Sequence, residues 1–179
     1  LTYDLMGDRL PILALEILDE LEDVFGGDSL NLPALLRRYK DYLKRLRAKG
    51  LNPWKDQPRR ADLHYTEAVG HFHLYAWLRS AVGRRCIVSP EFPTGNGRVD
   101  LHLRRGEQRG IIEVKSFVDA SEVRKSRKQA AEYAGRLNMD SVTVALFVPT
   151  EDEEILGQLS GGQTIDGVSV TVVAIGWAI

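Results

Sequence analysis

Cysteine occurs once, at Cys86, so no disulfide can close within the chain, and four scattered histidines supply no structural zinc set. Long apolar runs are missing too. Nowhere do roughly 18 apolar residues follow one another, which excludes a spanning helix and argues against a membrane partner. The opening LTYDLMGDRLPILALEIL carries acids where a secretory leader carries bases, so export is not expected and a cytoplasmic location is. A start at Leu1 without methionine reads as a piece of a longer protein. Internal repeats, low-complexity tracts, and flavin or nicotinamide fingerprints are all lacking. Ser116 has no coherent histidine and acid set beside it, and PTGNG lacks the Gly-Lys-Ser/Thr that follows in a phosphate loop. Net charge is almost absent: 24 bases and 25 acids in 179 residues leave -1. That excludes a strongly basic nucleic-acid coat protein.

What is present is charge in blocks. Leu1 to Asn31 holds eight acids and the single base Arg9, whereas Arg37 to Arg60 holds ten bases and only Asp41 and Asp56, a local balance of +8. Arg124, Lys125, Arg127 and Lys128 form a second basic block, and Glu151 to Glu154 is acidic. A total near zero can therefore hide a field that steers a polyanion to one face. The competing reading is that acidic and basic helices pair with each other.

Apolar spacing predicts helices over Pro11 to Phe25 and Leu32 to Lys49, the second buried through Leu35, Leu36, Tyr39, Leu43 and Leu46 and stopped by Gly50. LNPWKDQPRR follows as a connector. A third helix is expected from Leu63 to Ala81, with Asp62 as candidate cap and Tyr65, Val69, Phe72 and Ala76 inward. After Gly83 the period turns from 3.6 towards 2. CIVSPEF, RVDLHLR and IIEVKSF read as strands joined by the turns PTGNG and RGEQRG. Ala120 to Leu137 returns to helix behind an Asp119/Glu122 capping box. SVTVALFV is an interior strand, and VSVTVVAIGWAI supplies the last one. The crossover through the 120s helix implies an α/β sheet with some parallel pairing.

Alternation along RVDLHLR puts Val99, Leu101 and Leu103 on one face and Arg98, Asp100, His102 and Arg104 on the other. In IIEVKSF, Glu113 and Lys115 share a face opposite Ile112 and Val114. A short turn can then bring Asp100 beside Glu113. Two carboxylates and an amine on an otherwise apolar sheet are costly to bury unaided, and an oxygen-ligated divalent ion, Mg²⁺ rather than zinc, is one resolution. A plain salt bridge is the other.

Taken with further elements, the segment resembles the PD-(D/E)XK nuclease superfamily, most closely its RecB-like branch. The quoted features are a helical glutamate, Glu67; GRVD, ending at Asp100; IEVK, with Glu113 and Lys115; and QAAEY, with Gln129 and Tyr133. The resemblance covers roughly Leu63 to Val148. It implies an α/β restriction-endonuclease-like core, a central mixed β-sheet flanked by helices, over residues 61–179, preceded by a two-helix N-terminal extension over 1–60. It also implies a nuclease, a hydrolase of phosphodiester bonds in nucleic acid, DNA foremost. Asp100, Glu113, the carbonyl of Val114 and Glu67 would hold Mg²⁺ or Mn²⁺. Lys115 would assist water attack, and Gln129 and Tyr133 would line the site. Arg124, Lys125, Arg127 and Lys128 would hold backbone phosphates. Glu67 also reads as a partner for His64 or His71, and His71 as a structural histidine. The name motif's Pro-Asp pair does not occur. Pro90-Glu91 lies one strand early, leaving Glu91 a less aligned fourth acid.

Two other classes compete. One is a non-catalytic nucleic-acid-binding or protein-interaction domain that keeps the fold; similar nuclease-like domains occur joined to ATPase domains. The other is a structural domain whose acidic and basic helices pair between chains as a homo-oligomer.

Overall fold

The computed structural model describes residues 21–55, 63–93 and 97–177. Most of the first expected helix, the Asp62 cap, the side chains of His64 and Tyr65, and the middle of PTGNG lie outside the described residues. The described end of that first helix is α1, Glu22–Phe25, with Val24 and Phe25 buried.

Helix α2, Leu32–Ala48, starts where Asn31 accepts a hydrogen bond from the Ala34 amide and Pro33 occupies the first turn. It ends before Gly50, whose φ of 72° suits a glycine. Its buried stripe is the one its spacing predicts, with Leu46 half-buried.

Helix α3, Leu63–Val82, settles on a different face from the one expected. Leu74, Trp77, Leu78 and Ala81 are buried, whereas Phe72 is 74% exposed and Ala76 is exposed; Val69 is half-buried. Apolar residues surround this helix on nearly every side, so periodicity selects no single face. Gly70 selects it: a Cβ there would lie 2.6 Å from the Phe147 ring, so only glycine lets this turn sit against the sheet.

The strands are β1 (Ile87–Pro93), β2 (Arg98–Arg105), β3 (Gln108–Ser116), β4 (Ser141–Val148), β5 (Gly161–Ile165) and β6 (Val168–Gly176). Helix α4, Ala120–Arg136, links β3 to β4, and α5, Glu153–Leu159, follows β4. Together they form a mixed α/β architecture around one six-stranded sheet of order β1-β2-β3-β4-β6-β5. Strands β1 to β3 are antiparallel, β3, β4 and β6 run parallel, and β5 pairs antiparallel with β6. The expected α4 cap is present: the Asp119 carboxylate accepts from the Ser121 and Glu122 amides at 2.7 and 2.9 Å. Glu122 turns to Lys125 instead of closing the box.

Two apolar layers sandwich the sheet. On one side α1, α2, α3 and Trp54 pack on Leu101, Leu103, Ile112, Val114, Phe147 and Ile175. On the other, Ala130, Ala131 and Ala134 of α4 and Leu156 of α5 cover Val144, Leu146, Val170 and Val172. Trp54, expected in a connector, is fully buried, and its indole N–H donates to the Thr66 carbonyl at 3.3 Å. Trp77 and Trp177 lie in the same layer. Residues 21–54 thus share their core with the sheet. No helix among the described residues is long and apolar enough to cross a membrane.

Candidate acid-lysine site on the β2-β3 hairpin

The β2-β3 register runs from Arg105↔Gln108 to Leu101↔Ile112, and one further step sets Asp100 opposite Glu113. The ladder hydrogen bonding changes there. The Asp100 carboxylate accepts the Val114 amide at 2.7 Å, so a side chain takes over as backbone acceptor. His71 Nε2 donates to the Asp100 carbonyl at 3.1 Å and ties this point of β2 to α3. Glu91, opposite Asp100 in the β1 register, has φ 48° and pairs with Arg98 at 3.0 Å, away from the cluster. The pleat alternation breaks at this point. Val99 joins the α4 layer while Leu101 and Leu103 join the other, which corrects the single face expected for the three.

Glu67, on the first turns of α3, reaches the same place and accepts the Ser116 amide at 3.2 Å. Lys115 Nζ stands 3.9 Å from both Glu67 and Glu113 carboxylate oxygens. Glu113 is 1% exposed, and its Oε1 has no hydrogen-bond partner. Burial, then the Asp100 charge, push its carboxyl up to about 8 against the pull of Lys115. At neutral pH it is mainly protonated and neutral.

The fold therefore brings Glu67, Asp100, Glu113 and Lys115 together, but for a different chemistry from the one expected. Asp100 and Glu67 each commit an oxygen to a backbone amide, Glu113 is mainly neutral, and Lys115 lies 3.9 Å from the carboxylates of Glu67 and Glu113. Among the described residues, no group of three or more His, Cys, Asp or Glu side chains could hold a metal ion. This overturns the expected Mg²⁺ or Mn²⁺ site on Asp100, Glu113, Val114 and Glu67. With it go the metal-dependent nuclease activity and the hydrolase class. Val114 contributes its amide to Asp100 and is fully buried.

Gln129 and Tyr133 face the same way on α4 and satisfy each other: Gln129 Nε2 donates to the Tyr133 hydroxyl at 2.8 Å. The tyrosine ring packs against the α4 layer and carries the Arg136 guanidinium 5.4 Å from its centroid. Of the four bases at 124–128 in α4, Lys125 pairs with Glu122, and Arg127 donates to Gln163 at 3.3 Å. Arg124 and Lys128 are exposed and have no ion pair among the described residues.

The bases of α2 turn mostly to other partners. Arg38 meets Asp23, but Lys40 and Lys44 meet Glu153 and Arg47 meets Glu151. Sequence alone marks both blocks but cannot show that Glu151 and Glu153 of the second acidic run pair with α2. Two histidines prove structural. His73 bonds Tyr39 at 2.7 Å and is lowered to about 4 by burial, and His102 stacks on Phe92 with centroids 4.3 Å apart.

With this geometry in place, comparison with known proteins adds one likeness. Residues 62–149 match the model of a domain of unknown function, DUF8371. The matched span runs from the start of α3 to the end of β4 and contains the acid-lysine cluster and the α4 bases. Helix α2, α5, β5 and β6 lie outside it. No curated protein and no solved structure matches the chain.

Proposed function

We propose that the chain is a non-catalytic nucleic-acid-binding domain on a restriction-endonuclease-like core, gripping backbone phosphates, of DNA foremost, with α4. Support for the core is its connectivity: an antiparallel three-strand meander, a helical crossover and a parallel strand. The observation that carries the function is the state of the α4 charges. That helix holds five bases and two acids, and Arg124 and Lys128 stand exposed without an ion pair among the described residues. The hairpin carboxylates are engaged internally, so they add little repulsion and no chemistry. The acid-lysine cluster acts as a lock that fixes β2, β3 and α3.

Phosphate contacts of this kind are sequence-independent and salt-sensitive, each adding about 0.9 to the slope of log affinity against log salt on duplex DNA. Fluorescence anisotropy with a labelled duplex in chelator should show binding that Mg²⁺ does not require. The double substitution Arg124→Gln with Lys128→Gln should weaken it and lower the slope by about 2. Unchanged affinity in that variant would discard the α4 surface. A chain that binds no DNA or RNA at low salt would shift the reading to a protein-interaction domain.

A further inference from the structure

A second ionic cluster lies away from α4, at the C-terminal half of α2. There a cleft of about 750 Å³ opens between α2, the segment following β4, and the end of β6. Lys40, Lys44, Arg47 and Lys55 line it. Among the described residues, the acids on its walls are Glu151 and Glu153. Arg47 Nε lies 3.0 Å from Glu151, Lys44 Nζ 2.7 Å from Glu153, and Lys40 Nζ 3.7 Å from Glu153. A second guanidinium nitrogen of Arg47 donates to the Gly176 carbonyl at 2.7 Å, which fixes the fork in the wall.

Four cations facing two carboxylates leave a surplus of two positive charges at neutral pH. The carboxylates are rim groups: the Glu151 and Glu153 side chains are 57% and 56% exposed. Charges so exposed are weakly held and can exchange for a better anion. Its exposed apolar lining is Ala48 and Leu51, while Leu156 and Ile175 are buried. The volume falls within the roughly 300–1,000 Å³ usual for small-molecule sites, which pair an apolar lining with a few convergent polar groups. A phosphate chain matches the surplus charge and the fork of Arg47 better than a single carboxylate does.

We infer that this cleft binds a small organic polyphosphate, whose phosphate oxygens displace the Glu151 and Glu153 carboxylates and whose ring or chain rests on Ala48 and Leu51. The two glutamates hold the cations in place in the empty site. This site is separate from the α4 surface, since no residue of α4 lines the cleft.

Isothermal titration calorimetry on the full chain in chelator tests this, with inorganic pyrophosphate and ATP as probes. Saturable one-to-one binding of ATP is expected, with a dissociation constant on the order of 10–100 μM and pyrophosphate weaker by several-fold. Lys44→Gln with Lys55→Gln, both exposed positions that leave the core intact, should weaken ATP about tenfold. Glu151→Gln with Glu153→Gln should tighten it several-fold, and Arg124→Gln with Lys128→Gln should leave it unchanged. Absence of ATP binding up to about 1 mM overturns the proposal. So does equal affinity in the Lys44/Lys55 variant, or loss of binding in the Arg124/Lys128 variant, which would place the anion on α4. Equal affinity for pyrophosphate and ATP would remove the organic part of the ligand.

Discussion

The chain contains two clusters of carboxylates around ammonium or guanidinium groups, and they behave in opposite ways. On the hairpin, one lysine serves two glutamates inside the fold, and the most buried carboxyl gives up its charge. In the cleft beside α2, Lys40, Lys44 and Arg47 of that helix and Lys55 after it face two carboxylates, and Lys44, first, and Lys40 hold Glu153 below its usual range, so it stays ionised. The residue types are the same. Stoichiometry and exposure decide whether a cluster becomes a structural lock or keeps charge to offer a partner.

The comparison breaks most visibly through pH. The raised Glu113 value means the folded chain binds a proton that the unfolded chain has released between its ordinary value of 4.5 and about 8. Folding stability from this group is fully present below 4.5 and is lost as pH rises through about 8. Glu113→Gln should flatten that dependence and be the more stable protein above pH 8, by on the order of a few kcal/mol in urea melts. Parallel pH profiles for the two proteins would show that Glu113 is ionised throughout.

Next in size is Asp100→Ala, which leaves the buried Val114 amide without its acceptor and should cost about 1–3 kcal/mol at pH 7. Asp100→Asn, which keeps an acceptor oxygen, should recover much of it. Equal losses in both would assign the effect to charge rather than to the hydrogen bond. Glu153→Gln in the open cluster should change stability by less than about 1 kcal/mol, and salt should erase the difference. A larger, salt-resistant loss would make this cluster a second lock. Smallest of all, millimolar Mg²⁺ against chelator should leave Tm unmoved. A Mg²⁺-dependent rise that vanishes in Asp100→Asn would restore a metal site at the hairpin.

Legibility followed the same division. Helices α2 and α4 are legible from a helical period, the hairpin from an alternation that fails only at Val99, and β4 from an unbroken apolar run. The α3 face is not, since its apolar residues point in every direction and Gly70 made the choice. Strand β5 is not legible because GGQTI opens on two glycines and shows no alternation, and it exists as an edge laid on β6. At the site, alternation correctly placed Asp100 beside Glu113 and Lys115. It could not show that the amides of Val114 and Ser116 were waiting for Asp100 and Glu67, because backbone donors are invisible in side-chain patterns. That omission left a metal standing beside a plain salt bridge as a way to balance the cluster.

The three tryptophans, Trp54, Trp77 and Trp177, all lie in the layer beneath α2 and α3. Intrinsic fluorescence is thus a one-sided observer of this protein. It follows the layer that contains α2 and is blind to loosening under α4, the helix proposed to carry the nucleic-acid surface. A far-ultraviolet dichroism melt that departs from the fluorescence melt would show α4 detaching first. Coincident curves would show that the sheet transmits the loss of either layer to the other.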